Sequence, residues 1–268
     1  MIRFSVVQMT STNDVSENFN IIKTLLTNQK MDVLVLPEMC LSIGAKYKSP
    51  VQMEFDQVLI ELSQLAIENN ALLIAGTVKQ PQTNSDKGQP NCYVFDQLGQ
   101  IVTCYQKIHL FDAVVNDTQG AYRESDQYDP GSLPCVFDFM FNNKVIKMGL
   151  AVCYDLRFSL LFHELKKQGA QLIVVPAAFV YKTGDAHWEV LLRARAIEFG
   201  VYILACNQTG WHDETRHTFG HSMLINPWGE VVNTLGEEVG LLNCDIEEND
   251  IIHSKELLPS FNHVVKFD

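Results

Sequence analysis

The stretch VIKMGLAVCYDLRF, at residues 145–158, is the most informative part of the sequence for both the fold and the chemistry. Residues 145–152 are mostly apolar and predict a strand, and residues 158–168 then predict a helix. Cys153 therefore lies at a strand-to-helix turn, raised out of the sheet and beside a helix N-terminus, whose partial positive charge favours a thiolate. This setting predicts a nucleophile. A buried structural cysteine is the alternative, and for a cysteine considered alone it is the commoner case.

Strand-like and helix-like segments alternate outward from this stretch toward both ends of the chain. Strands are predicted at residues 2–8, 33–36, 71–78, 145–152, 172–175, 201–206 and 240–245, and helices at 15–26, 55–68, 158–168 and 186–199. Hairpins are predicted at 92–106 and 219–234, and loops at 79–90 and 111–133. An irregular stretch as long as 111–133 is usually functional. The alternation, without a repeat or a linker, indicates one α/β domain in which helices cover layers of sheet.

Composition limits the partners and the compartment. The 268 residues are 47% hydrophobic, which is enough for a substantial core. The net charge of −12 argues against nucleic acid as a partner, because phosphate binding requires a basic surface. No stretch approaches a membrane span, and the N-terminal apolar run is too short for a signal peptide. The seven cysteines lack a C-x-x-C pair and predict free thiols in a reducing compartment, so we expect no membrane partner and a cytoplasmic location.

Two further residues of catalytic type follow predicted strands. Glu38 comes after the apolar run 33–36, and Lys107 comes after the strand 101–106. Ligand sites in α/β sheets lie at the carboxyl ends of strands, where partial desolvation is expected to raise the Glu38 pKa toward that of a useful general base. Taken singly, a solvated loop glutamate and a snorkelling surface lysine are the commoner cases. A carboxylate, an ammonium and a thiol that each follow a strand indicate one catalytic site.

Several motifs in this order resemble the nitrilase superfamily of carbon–nitrogen hydrolases, almost from end to end of the chain. They are Leu36-Pro37-Glu38, Lys107-Ile108-His109-Leu110-Phe111, residues 149–158, Ala186-His187-Trp188-Glu189, Arg195-Ala196-Ile197-Glu198, Gly220-His221-Ser222 and residues 226–230. The resemblance implies a four-layer αββα sandwich, formed as a single carbon–nitrogen hydrolase domain over residues 1–268. It also implies a small-molecule amide substrate, no cofactor, no metal, and a homodimer built on helices 158–168 and 186–199, with higher oligomers left open. The tail 251–268 often crosses to the partner subunit in relatives.

The resemblance also implies a role for each catalytic residue. Glu38 is expected to be the general base, and Cys153 the nucleophile that forms a thioester. Lys107 and the backbone N–H of Tyr154 are expected to stabilise the oxyanion. Glu124, in the long irregular stretch, matches a second glutamate that orients the lysine. A solvated loop acid is the alternative for Glu124.

The branch of the family is indicated by local sequence. Cys153-Tyr154-Asp155 is typical of members that act on amides rather than nitriles. Residues 184–198 and 212–216 resemble the branch that hydrolyses deaminated glutathione to 2-oxoglutarate and cysteinylglycine. An ω-amidase acting on 2-oxoglutaramate and a carbamoyl-amide hydrolase are alternatives within enzymes. A non-enzymatic binding protein is the alternative outside them, although the whole triad is present.

Four residues are candidates for substrate binding. Arg157 occupies a position that contacts the substrate acid in carbamoylase relatives, with a structural ion pair as an equal alternative. Phe179 and Thr183 follow the strand 172–175 and are expected in a loop beside the pocket. Arg216 lies in the branch-specific loop and is expected to bind the glycine carboxylate of a glutathione-like substrate. Ala177, where Ser or Gly is common in the family, is expected to reshape the acyl pocket slightly.

Overall fold

The computed structural model describes residues 1–43, 53–257, 260–263 and 265. Its strands in chain order are β1 Ile2–Gln8, β2 Val33–Val35, β3 Leu72–Ile74, β4 Val78–Gln82, β5 Ser85–Phe95, β6 Ile101–Gln106, β7 Asp112–Val114, β8 Ala121–Arg123, β9 Cys135–Phe141, β10 Lys144–Leu150, β11 Leu172–Ala177, β12 Tyr202–Asn207, β13 Thr209–Trp211, β14 His217–Phe219, β15 Met223–Ile225, β16 Val231–Thr234 and β17 Gly240–Ile246. The α-helices are α1 Val15–Leu25, α2 Phe55–Asn69, α3 Ser159–Lys167, α4 Tyr181–Phe199 and α5 Glu248–Leu257. Short 3-10 helices span Glu124–Asp126, Cys153–Arg157 and Ser260–His263.

Two large sheets form the centre of the described structure. The first has the order β17-β1-β2-β3-β5-β4, with β6 also paired to β5. The second has the order β16-β15-β12-β11-β10-β9. In the first sheet β2 runs parallel to β1 and β3, and in the second β11 runs parallel to β10 and β12. Parallel strands point their carboxyl ends to one edge, so residues that follow them in each sheet gather there.

The alternation of side chains along β2 shows how the layers are stacked. Val33 and Val35 belong to the apolar cluster that joins the two sheets, whereas Leu34 belongs to the cluster shared with α1 and α2. Successive strand residues point to opposite faces, and a strand covered on both faces is apolar throughout. The second sheet packs its other face against α3 and α4, which contribute Leu161 and Trp188 to the core. The described residues therefore form helix, sheet, sheet and helix layers.

Two predicted segments differ from the observed structure. Residues 79–90, predicted as a loop, lie mainly in the antiparallel pair β4–β5, where Gln80 is opposite Gln89. The polar composition of this segment suggested a loop. The hairpin nevertheless forms because it is stabilised by its backbone hydrogen bonds rather than by apolar burial. The predicted irregular stretch 111–133 contains the small hairpin β7–β8 and the 3-10 turn Glu124–Asp126.

Helix α4 begins at Tyr181 rather than at residue 186, so Thr183 lies in a helix and not in a loop. Gly184 lowers the helix propensity of this first turn. Its structural reason is close packing, because a Cβ at Gly184 would lie 2.3 Å from the Cβ of Phe219. Among the described helices, none has the length and apolar content needed to cross a membrane. Residues 258, 259, 264 and 266–268 of the tail lie outside the described residues, so its crossing to a partner stays a prediction.

Candidate active site

Glu38 is held at the end of β2 by a tight turn. A Cβ at Gly76, whose φ is +60°, would lie 1.9 Å from the carbonyl oxygen of Pro37, so only glycine permits this close approach. The next N–H, of Met39, donates to the hydroxyl of Thr77 at 3.0 Å. The Glu38 residue is 3% exposed. The turn therefore directs the carboxylate inward, toward the second sheet.

Lys107 follows β6, and both of its backbone groups are fixed. Its N–H donates to the Pro90 carbonyl at 3.0 Å, and its own carbonyl accepts from Gly131 N–H at 2.8 Å. The side chain is 1% exposed. Its Nζ donates to Glu38 Oε1 at 2.7 Å and to Glu124 Oε2 at 2.7 Å and Oε1 at 3.0 Å. One buried ammonium thus bridges two carboxylates.

Cys153 opens the 3-10 helix after β10 in a conformation that non-glycine residues rarely adopt, with φ of +49°. Cys153 lines the same cavity as Glu38, Lys107 and Ala178, the residue that follows β11. The Ala178 N–H donates to Glu38 Oε2 at 2.9 Å. Strand ends of both sheets therefore converge on this cavity.

The electrostatics of the site differ from the expectation in two respects. Burial, and after it the Glu38 carboxylate, raise the pKa of the Cys153 thiol well above its usual value. Burial acts to raise the pKa of Glu38, but the Lys107 ammonium and the other hydrogen-bond donors around the carboxylate together outweigh it and lower that pKa. Burial acts to lower the pKa of Lys107, but Glu124 and Glu38 raise it well above its usual value. The resting site holds a thiol rather than the expected thiolate, and a carboxylate rather than a base with a raised pKa.

A cavity of about 200 Å³ reaches this cluster. Its lining residues include the four predicted catalytic side chains and one predicted substrate-binding residue: Glu38, Lys107, Glu124, Cys153 and Arg216. A larger cavity of about 500 Å³ shares Met39, Glu124 and Tyr128 with the first, but the described residues that line it include neither Cys153 nor Lys107. The smaller cavity is therefore the candidate site for chemistry.

The other predicted substrate-binding residues do not line the described wall of this cavity. The Arg157 guanidinium lies over the rings of Tyr154 and Phe179, at 5.7 and 5.2 Å from their centroids, and contacts His187 Nδ1 at 3.3 Å. Phe179 is buried against Trp188, with ring centroids 5.0 Å apart. The hydroxyl of Thr183 donates to the Val180 carbonyl at 3.2 Å. Each of these side chains has a packing role outside the described cavity wall.

Sequence reasoning missed two residues that position groups of the site, Asp155 at the nucleophile turn and Ala178 beside Glu38. Asp155 is fully buried and accepts from the Val152 N–H at 2.8 Å, the Tyr105 hydroxyl at 2.7 Å and the His109 N–H at 3.0 Å. It therefore ties the Cys153 turn to the loop that carries Lys107. Tyr105 and His109 lie 50 and 46 residues away from Asp155 along the chain, so no local pattern could have found these two contacts. Ala178 could have been found, because it directly follows a predicted parallel strand.

The histidines near residue 212 have ordinary packing contacts. His212 contacts the Ser11 carbonyl at 2.9 Å and the Thr218 hydroxyl at 2.7 Å through its two ring nitrogens. The His217 ring stacks on Trp211 and on Tyr181. Over the described ranges, no group of three or more His, Cys, Asp or Glu side chains is arranged to hold a metal ion.

Comparison with known proteins agrees with this geometry. The family model described as carbon–nitrogen hydrolase matches residues 3–255. The chain belongs to the carbon–nitrogen hydrolase family, and it is an amidase of that family. It is 37% identical to a deaminated glutathione amidase of Yersinia enterocolitica over 240 residues, which are 88% of this chain and 82% of that protein.

Two further matches bear on the branch and on the fold. The chain is 35% identical to a deaminated glutathione amidase of Dictyostelium discoideum over 274 residues, covering 97% of this chain and 93% of that one. The crystal structure of Saccharomyces cerevisiae Nit3, a member of branch 10 of the nitrilase superfamily, matches with a TM-score of 0.81 at 25% identity, covering 96% of this chain and 94% of that one. The expected nitrilase-type fold is confirmed.

Proposed function

We propose that this amidase hydrolyses deaminated glutathione to 2-oxoglutarate and cysteinylglycine through a thioester on Cys153. The observation that carries the mechanism is geometric: Cys153 lines one cavity with the Glu38 carboxylate and the Lys107 ammonium, and the last two groups are 2.7 Å apart. Support for the substrate comes from the similarity to the two deaminated glutathione amidases. The acyl half of this substrate is 2-oxoglutarate, and the leaving group is an amine.

In the first step the sulfur attacks the amide carbonyl. The thiol proton passes to Glu38 as the C–S bond forms, and the carbonyl π electrons move onto oxygen. Because the resting thiol has a raised pKa and Glu38 a lowered one, a free thiolate is unfavourable. Proton transfer therefore accompanies attack, since sulfur becomes far more acidic as its bond to carbon forms.

Charge develops on the carbonyl oxygen, where two donors are available. Lys107 supplies a charged N–H, and its pKa keeps it protonated through the reaction. The Tyr154 N–H lies in the first turn of the 3-10 helix, where backbone N–H groups lack intrahelical acceptors. Loss of one such donor typically lowers kcat by about 10²–10³-fold. Glu124 acts through Lys107, by holding its ammonium in position.

The later steps return every group to its starting state. The oxyanion re-forms the carbonyl, the C–N bond breaks, and Glu38 gives its proton to the departing amine. Glu38 next takes a proton from water as the water oxygen attacks the thioester. The second oxyanion collapses, the C–S bond breaks, and the proton returns to sulfur.

Steady-state hydrolysis tests the substrate. We expect the kcat/KM for deaminated glutathione to exceed that for 2-oxoglutaramate and for a carbamoyl amide, measured by release of 2-oxoglutarate or ammonia. A higher value for 2-oxoglutaramate would identify an ω-amidase instead. Intact-protein mass spectrometry should detect a 2-oxoglutaryl adduct on the native protein and none on Cys153→Ala. Binding without any turnover or adduct would indicate a non-enzymatic protein.

A further inference from the structure

Arg216 lines the smaller cavity, and the hydrogen bonds of its guanidinium are incomplete. Its Nε is buried and has no hydrogen-bond partner among the described residues. Its Nη2 has a weak acceptor, the sulfur of Met39 at 3.6 Å, and the guanidinium lies 5.9 Å from the ring centroid of Tyr122. Buried polar groups of charged side chains are normally hydrogen-bonded, because an unpaired one is unfavourable. An unpaired guanidinium N–H at a cavity wall therefore indicates that a ligand supplies the acceptor.

The loop that carries Arg216 is held by internal hydrogen bonds. Asp213 Oδ1 accepts from the N–H of Thr215 and from the N–H of Arg216, each at 2.8 Å. The Arg216 carbonyl accepts from His212 N–H at 2.9 Å, which closes the turn between β13 and β14. The Tyr122 ring beneath the guanidinium is fixed by its own hydroxyl, which donates to Asp117 Oδ2 at 2.8 Å. A cation held in this way binds an anion at low entropic cost.

The charges around the cavity favour an anion. The described lining residues carry three cations and two carboxylates, although the whole chain has a net charge of −12. Both carboxylates, Glu38 and Glu124, accept hydrogen bonds from Lys107. The guanidinium of Arg216 therefore faces the cavity without a carboxylate of its own among these lining residues. The planar fork of a guanidinium matches a carboxylate in geometry and charge.

We infer that Arg216 binds a carboxylate of the amide substrate and so selects anionic amides. The inference rests on the proposed function for the identity of the ligand. Deaminated glutathione has two carboxylates, one on the 2-oxo acid and one on glycine, and they share the chemistry that a guanidinium recognises.

Binding in a Cys153→Ala background separates recognition from hydrolysis. Calorimetry would compare deaminated glutathione, its glycine-amidated analogue and 2-oxoglutaramate, each with and without Arg216→Gln. We expect Arg216→Gln to weaken binding of deaminated glutathione by about 10–100-fold. If the glycine carboxylate is bound, the other two ligands are insensitive to the substitution. If the 2-oxo carboxylate is bound, all three lose affinity equally.

A conservative variant completes the test. Arg216→Lys keeps the charge but not the fork, so its loss should be intermediate, and circular dichroism would show that both variants fold. Unchanged affinity for all three ligands in Arg216→Gln, or no binding to the Arg216-intact protein, would overturn the inference. If binding depends on Arg216 but the native protein does not hydrolyse the ligand, the proposed function is wrong and the inference about Arg216 stands.

Discussion

The cavity of the candidate active site has two halves that are built in opposite ways. Glu38, Lys107 and Cys153 follow strands of the two central sheets, and their residues are 3%, 1% and 7% exposed. Glu124 lies on a 3-10 turn of the segment 111–133, and its side chain is 16% exposed. We call these the strand-end half and the segment half. We therefore expect the strand-end half to determine the reaction, and the segment half to adjust the charge and orientation of Lys107.

Different interactions maintain the two halves. The strand-end half is joined by contacts between distant parts of the chain, such as the Lys107–Glu38 bond across 69 positions. The segment half is held mainly by short-range bonds, such as Asp117 with Tyr122 and Asp112 with Ser125. Glu124 connects this segment to the Lys107 side chain, because it accepts from Lys107 Nζ at 2.7 Å, and it also accepts from the Phe111 N–H at 2.6 Å. Substitutions should therefore have larger effects in the strand-end half.

The largest effect is expected when the nucleophile or its base is removed. We expect Cys153→Ala and Glu38→Gln each to lower kcat/KM for deaminated glutathione by more than about 10⁴-fold, and the double variant to be little worse, because the two groups act as one unit. Steady-state assays check this against the exposed Cys104→Ala and Glu61→Gln, which should retain activity. More than about 1% residual activity in Glu38→Gln would assign the base elsewhere.

The strand-end half was the more predictable from sequence, for a physical reason. Apolar runs such as 33–36 and 145–152 predict buried strands, and the residue after a strand must lie at the sheet edge, so Glu38 and Cys153 were found locally. Their protonation states could not be found in this way, because the pKa values of both depend on burial and on charged groups that are far along the chain. Asp155 was missed as a positioning group for the same reason.

Sequence patterns predicted less of the segment half than of the strand-end half. Glu124 was assigned by family resemblance, and nothing local distinguishes it from a solvated acid. The hairpin β7–β8 has three-residue strands, too short for a periodic signal. Phe179 and Thr183 were placed beside the pocket by fold position alone, which cannot give the direction of a side chain. The homodimer, the single domain over residues 1–268 and the cytoplasmic location stay predictions.

The second prediction concerns the stability of the strand-end half. Lys107→Met leaves the buried Glu38 carboxylate without a cation, so we expect the free energy of unfolding at pH 7 to fall by about 3–5 kcal/mol. Glu38→Gln should cost less, because Lys107 keeps Glu124, and adding Glu38→Gln to Lys107→Met should restore part of the loss. Urea unfolding measures these changes. The control is Lys23→Met, which removes the ion pair of Lys23 with Glu61 near the surface and should change the free energy of unfolding by less than about 1 kcal/mol.

The same variant should reverse the pH dependence. In the native protein the Glu38 pKa is lowered, so its contribution to stability is present above the ordinary carboxyl pKa and is lost as the pH falls through the lowered folded value. In Lys107→Met burial prevails and raises the Glu38 pKa, so stability is lost as the pH rises through that value. The deficit of the variant should therefore shrink toward acid pH. A deficit that stays constant would contradict the buried ion pair.

A smaller effect is expected for Glu124→Gln in the segment half. Lys107 keeps its bond to Glu38, so the ammonium remains but is held on one side only. We expect kcat to fall by about 10–100-fold with little change in KM, a range like that for groups that orient metal ligands. Combined with Lys107→Met, Glu124→Gln should add almost nothing, since it acts through the lysine. Additive losses would instead give Glu124 a contact with the substrate.

The smallest effect is expected for Asp112→Asn, which weakens a local bond of the segment half. Asp112 accepts from the Ser125 N–H at 3.0 Å and from its hydroxyl at 2.5 Å, and both residues are near the surface. Global stability should change by less than about 1 kcal/mol, as for most surface substitutions. Amide exchange should nevertheless accelerate over residues 112–126 and stay unchanged in β10, with the exposed Asp138→Asn as the matched control. If exchange in β10 also accelerated, the two halves would open as one unit, and Glu124 could not adjust Lys107 independently of the strand ends.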